Sequence, residues 1–192
     1  MRHQEITEIK DVYEEADLSY SDFTNCMNVE TIFSDCMIVD CDFVGLDSAL
    51  QLNEVTARNS DFTGATMSMS TFKDVDLSYS IMVSAELDHS TFEGVTLKEA
   101  DLRNSFFKYC LMPKVDFSGA DLRGADFTGA DLRDADFRDA KLQGAIFSEA
   151  DLRGANFEGA ITNSSTRFER AIEPPRNLEG RFSTIGYISL YH

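Results

Sequence analysis

From Ala120 to Gly159 the chain reads ADLRG ADFTG ADLRD ADFRD AKLQG AIFSE ADLRG ANFEG. One residue in five is Leu or Phe, and the residue two before it is always Ala. With that Leu or Phe as the centre of each unit, centres recur at every fifth position from Phe62 to Phe157, and all are Leu, Phe or Met. Before the alanines, the position two earlier holds Ser60, Ala65, Ser70, Val75, Ser80, Ala85, Ser90, Val95, Ala100, Ser105, Cys110 and Val115. The register also runs towards the N-terminus, with centres at Leu18, Phe23, Phe33, Ile38 and Phe43 and an irregular one at Asn28. The step from Phe43 to Phe62 falls one short of a multiple of five. One residue therefore drops out within 44–53, where a small loop or a distorted coil is expected.

A period of five fits neither a helical face nor a plain strand. It fits a short strand followed by a corner. The small residue and the centre are two apart and point to one side, while the other three positions, mostly Asp, Thr, Arg, Ser and Gly, suit an outward turn. Stacked units of this kind bury one continuous core. Between Leu122 and Phe157 the centres alternate Leu and Phe, which favours an even number of sides. Four sides give uniform ladders: Phe107/Phe127/Phe147, Phe117/Phe137/Phe157, Leu132/Leu152 and Leu102/Leu122/Leu142. The expected organisation is an N-terminal cap over 1–15, a β-helix over 16–161, and a non-repeat segment over 162–192 that caps the last coil or mediates association.

The run resembles the pentapeptide repeat family over residues 16–160. That resemblance implies an all-β fold, a right-handed quadrilateral parallel β-helix with four pentapeptides per coil. Coils would stack about 4.8 Å apart, giving a rod of roughly 35 Å. A subset of the family, the Qnr group and MfpA, is understood to bind type II topoisomerases as a DNA mimic, and this chain is similar to them in size and acidity. The resemblance therefore implies a protein partner, DNA gyrase or topoisomerase IV, with protection from quinolone-like drugs as one outcome. Two features differ from that subset. The unbroken beat from Phe62 to Phe157 leaves no room for the second of the two loops that Qnr proteins project. The tail from Arg176 to His192 also lacks helical periodicity, which bears on a homodimer formed through that segment.

Composition narrows the function classes. The chain has 192 residues, 17 Lys and Arg against 34 Asp and Glu, and a net charge of −17. Such a surface repels nucleic acid and anionic lipid, so direct binding to either is not expected, whereas a basic groove would attract it. No apolar run reaches a membrane span and the first residues carry no apolar leader, which points to the cytoplasm. The negative charge is uneven. Residues 1–60 hold 13 acidic and 3 basic side chains, and residues 100–160 hold 11 and 8. In the latter stretch an Asp before the centre is often matched by Arg after it, as in Asp101/Arg103, Asp121/Arg123, Asp131/Arg133, Asp136/Arg138 and Asp151/Arg153. The candidate partner-binding acids are therefore Asp17, Asp22, Asp35, Asp40, Asp42, Asp47, Asp61 and Asp76, which have no such partner nearby in sequence.

Apolar residues interrupt the outward positions at Met69, Tyr79, Ile81, Val83, Phe106, Tyr109, Leu111 and Ile146. Four sides place Phe106 and Ile146 on one face with Tyr109 near, a candidate apolar interface and the basis of an alternative reading as a general protein-interaction scaffold. Cys26, Cys36, Cys41 and Cys110 occupy the small inward column and read as buried small residues, not metal ligands. With one His inside the repeats, no nucleophile, base and orienting group can be assembled. No enzyme activity, metal or cofactor is expected.

Overall fold

The computed structural model describes residues 4–5 and 12–175. Seven short strands carry its regular pairing: β1 (Gln4–Glu5), β2 (Val12–Glu14), β3 (Ser21–Asp22), β4 (Met27–Ser34), β5 (Asp47–Asn53), β6 (Thr71–Lys73) and β7 (Thr91–Glu93). All pairs are parallel: β1 joins β3, and β2, β4, β5, β6 and β7 follow one another in a single sheet. Elsewhere the sheet shrinks to single bridges between equivalent positions of successive coils. Asp101 with Asp121 and Asp121 with Lys141 are examples, each a step of four pentads. Four ladders result. Face one runs Asp17, Met37, Thr56, Asp76, Thr96, Asp116, Asp136, Asn156, and face two runs Asp22, Asp42, Asp61, Ile81, Asp101, Asp121, Lys141, Ile161. Face three runs Asp47, Thr66, Glu86, Phe106, Asp126, Ile146, Arg167, and face four runs Ile32, Gln51, Thr71, Thr91, Leu111, Asp131, Asp151, Ile172. The fold is a quadrilateral parallel β-helix.

The unit 126–130 shows why the pentad closes. Asp126 N–H donates back to the Ser105 carbonyl (3.0 Å), and Phe127 N–H donates forward to the Ile146 carbonyl (2.7 Å). Gly129 N–H donates to the Ser148 carbonyl (2.9 Å), and Ala130 N–H closes the turn on the Phe127 carbonyl (3.0 Å). The remaining donor, Thr128 N–H, is taken by Asp126 Oδ1 at 2.9 Å. A buried or half-buried N–H without an acceptor is costly, so an acceptor two residues before it is part of the fold. The same bond recurs at Asp22, Asp42, Asp61, Asp76 and Asn156. It explains the abundance of Asp before the centre.

The interior is narrow and filled by buried side chains. Phe107, Phe127 and Phe147 stack on face three with centroids 5.0 and 5.2 Å apart, and Phe117, Phe137 and Phe157 stack on face one at 5.0 and 4.8 Å. The two columns meet edge to face, as between Phe127 and Phe137 at 6.1 Å. Leu102, Leu122, Leu142, Leu132 and Leu152 fill the other two walls and are buried. In the N-terminal coils the rings change walls: Phe23, Phe43 and Phe62 stack on face two, and Tyr13 and Phe33 on face four.

The β-helix is longer than the sequence pattern indicated. Tyr13, assigned above to a cap, is 8% exposed and stacks on Phe33 at 4.9 Å, and β1 extends the ladder back to Gln4. At the other end the bridges reach Ile172, beyond residue 161. Ile146 pairs with Arg167 and Asp151 with Ile172, each one position beyond four pentads, so one extra residue lies between Ile161 and Arg167. Thr162 and Thr166 stand where Leu or Phe and Ala are usual, which hides the continuation, yet both are buried and Phe168 stacks on Phe147 at 5.1 Å. The residue missing from the beat leaves no projecting loop. Met27 pairs with Asp47 at the full four-pentad step, whereas Glu30 pairs with Ala49, one residue short of it. The register shift falls between Met27 and Glu30, and β4 and β5 run through that corner as extended strands. Most of the expected N-terminal cap, and residues 176–192 of the segment expected over 162–192 to cap the last coil or associate, lie outside the described residues.

Candidate protein-interaction surface

The candidate acids spread over three faces and two corners. Asp17 and Asp76 belong to face one, Asp22, Asp42 and Asp61 to consecutive coils of face two, and Asp47 to face three. Asp35 and Asp40 sit at corners in the left-handed region, with φ of 52° and 53°. The corner between faces four and one carries an acid in four successive coils, Glu15, Asp35, Glu54 and Asp74, all exposed. Sequence reading picked only Asp35 from this column, because the others lie outside the position before the centre.

Most of these carboxylates have a structural duty as well. One oxygen of Asp17 accepts from Ser19 N–H at 3.1 Å. Asp76, counted above as unpaired, faces Arg58 Nε at 3.7 Å; the partner comes from the preceding coil, which sequence proximity does not reveal. Apart from that contact, the ion pairs between described side chains run from Asp101 to Arg170.

In the C-terminal coils each matched Arg binds its Asp through two nitrogens, as for Arg133 Nε and Nη2 on Asp131 at 2.7 and 2.6 Å. The hydrogen bond from Arg133 lowers the Asp131 carboxyl below its usual range against the opposing effect of burial, and Arg138 and Arg153 do the same for Asp136 and Asp151. Asp101 and Asp121 stack with their Arg partners on face two, and Asp131 and Asp151 on face four. These coils thus neutralise their own acids.

Phe106 and Ile146 share face three, but Asp126 lies between them and Ile146 is only half exposed. The apolar surface is instead drawn to the corner between faces three and four. There Tyr109 follows Met69 and His89 in the same column, with Phe106 and Leu111 on either side in its own coil. Exposures are 76% for Met69, 52% for Tyr109 and Leu111, and 37% for Phe106.

The cysteines line the interior. Cys41 and Cys110 donate to the carbonyls of Leu18 and Leu87, both at 3.0 Å, and burial pushes their thiols up to about 11 and about 12. They stay protonated and serve as small hydrogen-bonding fillers, like Ser60 and Thr166. Among the described residues no group of three His, Cys, Asp or Glu is placed to hold a metal, and no helix is long and apolar enough to cross a membrane.

Residues 80–157 match the family model of the pentapeptide repeat region. That stretch is a pentapeptide repeat region. Among solved structures, a trypsin-treated variant of QnrB1, a plasmid-mediated fluoroquinolone resistance protein, is similar with a TM-score of 0.66 at 17% identity, covering 83% of this chain and 87% of that one. HetL, a pentapeptide repeat protein involved in heterocyst differentiation regulation in the cyanobacterium Nostoc sp. strain PCC 7120, is similar with a TM-score of 0.53 at 21% identity, covering 92% of both chains. At these identities the likeness is one of fold. No curated protein matches the sequence. Pentapeptide repeat proteins are typically scaffolds for protein interaction, with no catalytic centre.

Proposed function

We propose that this chain is an acidic rod that binds the DNA-binding surface of a type II topoisomerase, DNA gyrase or topoisomerase IV. In doing so it modulates the enzyme or protects it from quinolone-like drugs. The observation that carries the reading is the charge arrangement. Face two presents Asp22, Asp42 and Asp61 in successive coils, and the corner column on the far side of face one presents Glu15, Asp35, Glu54 and Asp74. Ion pairing meanwhile neutralises the opposite end. The fourth-face ladder spans nine levels from Val12 to Ile172, hence roughly 38 Å at strand spacing. Seventeen net negative charges over that length approach the linear density of duplex DNA, one per about 1.7 Å. The fold likeness to QnrB1 supports the same reading.

The test is a gyrase supercoiling and cleavage assay with a fluoroquinolone present. Protection or inhibition at micromolar protein supports the proposal, and no effect with no binding removes it. Under the second reading, a general interaction scaffold, the apolar corner around Tyr109 would hold some other partner. The replacement Asp42→Asn with Asp61→Asn discriminates, since Asn keeps the acceptor for Val44 and Thr63 N–H while removing charge.

A further inference from the structure

In the N-terminal coils face two presents two parallel columns of different chemistry. Asp22, Asp42 and Asp61 stack in one, and Ile81, 38% exposed, follows them in the next coil. Two residues further along each unit, Thr24, Val44, Thr63 and Val83 stack in the other. The Asn25, Gly45 and Gly64 N–H groups hold that column in line by donating to the Val44, Thr63 and Val83 carbonyls at 2.9, 3.0 and 2.9 Å. All four side chains are β-branched and hold few rotamers, so this half of the face is stiff. The face is therefore acidic along one edge and aliphatic along the other. Beyond the aliphatic edge the corner carries Gly45 and Gly64, and a Cβ added at Gly64 would meet nothing within 4 Å, so that side is open to a bound element.

Charge selects the kind of occupant. Asp42 and Asp61 lie outside the ion-paired stretch, which apart from Arg58 with Asp76 begins at Asp101. Arg58, on the edge towards face one, is held by Asp76 at 3.7 Å and lies 5.4 Å over the Tyr79 ring. A second copy of this chain would bring the same acids and a net charge of −17, and is repelled. A basic partner is attracted. The other acid row, at the corner between faces four and one, is flanked on face four by Ser34, Asn53 and Lys73. It offers charge without an aliphatic column, and one of its neighbours is a base. Face two alone sets an acid row beside an apolar one, the pattern that suits an amphipathic element.

Spacing selects its form. Coils stack about 4.8 Å apart, which puts Asp42, Asp61 and Ile81 about 4.8, 9.6 and 14.4 Å along the rod from Asp22. In an α-helix laid along the rod, residues i+3, i+7 and i+10 share one face with i and lie about 4.5, 10.5 and 15 Å from it. The two series agree to within about 1 Å. Same-side residues of an extended strand recur about every 6.8 Å and are out of step by about 6 Å at the fourth row. We infer that face two of the N-terminal coils docks a basic amphipathic α-helix of the partner, aligned with the rod axis. Its Arg or Lys side chains at i, i+3 and i+7 meet Asp22, Asp42 and Asp61, and an apolar residue at i+10 rests on Ile81 and Val83. The inference takes only the partner's identity from the topoisomerase reading above. Within that reading the acids speed encounter and the apolar end slows release.

The experiment measures binding of the full-length protein to two probes, the intact gyrase heterotetramer and a lactam-stabilised helical peptide with Arg at i, i+3 and i+7 and Leu at i+10. A peptide of the same composition with Arg at i, i+2 and i+4 and Leu at i+6 is the control. The helix-phased peptide is expected to bind at least about tenfold tighter than the control and to compete with gyrase. Ile81→Asp gives the sharpest sign. The same column holds Asp at 61 and 101, so the variant folds, and its added negative charge would tighten a purely electrostatic contact. An apolar foot on Ile81 instead predicts a dissociation rate raised by about tenfold. Gly64→Tyr, at a corner where Tyr20 and Tyr79 already sit at φ of 66° and 63°, is expected to block the face. Asp42→Asn with Asp61→Asn should slow association and flatten its salt dependence. Tighter or unchanged gyrase binding by Ile81→Asp, wild-type binding by Gly64→Tyr, or equal affinity for the two peptides overturns the docked helix and leaves the topoisomerase reading standing. Binding of the helix-phased peptide without binding of gyrase keeps the helix site and removes the topoisomerase. No binding of either probe ends both.

Discussion

The two ends of the rod share one backbone plan but solve packing and charge differently. In the C-terminal coils Phe stacks occupy faces one and three, and Ala fills the small inward position from Ala120 to Ala160. In the N-terminal coils the rings sit on faces two and four, and the small positions are mixed: Cys36, Cys41, Leu46, Leu50, Val55 and Ser60. The walls exchange roles near Phe92 on face four and Phe107 on face three, whose rings meet edge to face at 6.1 Å. Outside, one end pairs its acids with Arg, and the other lines acids up over successive coils. A single architecture therefore carries a section tuned for packing regularity and a section tuned for its field.

The largest effect should come from the ring stacks. Phe127 touches Phe107 and Phe147 in its own column and Phe117 and Phe137 edge to face. Phe62, equally buried, stacks on Phe43 at the end of its column. Phe127→Ala should cost about 3–5 kcal/mol of stability in denaturant unfolding. Phe62→Ala should cost less, by about 1 kcal/mol or more, because it forfeits fewer aromatic pairs. Equal losses would mean that ring geometry adds nothing beyond burial, and the contrast between the ends would shrink to composition.

Corner glycines give the next largest effect. At Gly154 (φ 72°) an added Cβ would sit 2.2 Å from Asp134 Oδ1 of the preceding coil. At Gly64 (φ 65°) it would meet nothing within 4 Å. Gly64→Ala should therefore cost only the left-handed strain, about 1 kcal/mol, and Gly154→Ala somewhat more, since the exposed Asp134 side chain must turn aside. Combining Gly154→Ala with Asp134→Ala should bring the cost back towards the Gly64→Ala value. If it does not, the stacked corner is not what selects Gly in the C-terminal coils.

How much of this was readable before any coordinates depends on which residues the beat constrains. The period follows from spacing alone, and the Leu/Phe alternation favours the four sides and the Phe107/Phe127/Phe147 ladder, because one misplaced centre would break every stack above it. The ends were not readable. Thr162 and Thr166 take the places of Leu and Ala, and one added residue before Arg167 throws off the count, so the last coil looks like a tail. The surface was read in part. Asp22, Asp42 and Asp61 recur at coil spacing, with the dropped residue between the last two, and could be aligned once four sides were assumed. Glu15, Glu54 and Asp74 stand at corner positions where the sequence is too varied to mark a column. Arg58 reaches Asp76 only through the stacking of coils.

Acid should separate the ends next. Arg133, Arg138 and Arg153 lower the Asp131, Asp136 and Asp151 carboxyls, so these are more acidic folded than unfolded. Groups of that kind contribute stability above the unfolded value of 3.8, and the contribution is lost as pH falls through the lower folded values. Melting temperature should therefore drop below about pH 4, and Arg133→Gln should reduce the drop by about 2 °C or less, since the pair is solvent-exposed. An identical acid profile for Arg133→Gln would show that the pairs neutralise charge without linking to folding.

The smallest effect is the one that bears most directly on the charge contrast. Like charges on successive coils repel, and salt screens that repulsion within about 10 Å at 0.1 M. Raising NaCl from about 0.05 to about 0.5 M should slow hydrogen exchange of the amides around Asp42 and Asp61, where unpaired acids stack, and leave amides near Asp131 and Asp151 unchanged or slightly faster. The shift should amount to a few-fold in exchange rate. Asp42→Asn should reproduce part of it at low salt, because it removes a charge from the face-two ladder while keeping the acceptor for Val44 N–H. If salt instead slowed exchange evenly along the rod, the acidic end would carry no stored repulsion. Its field would then be no more available to a basic partner than that of the paired coils.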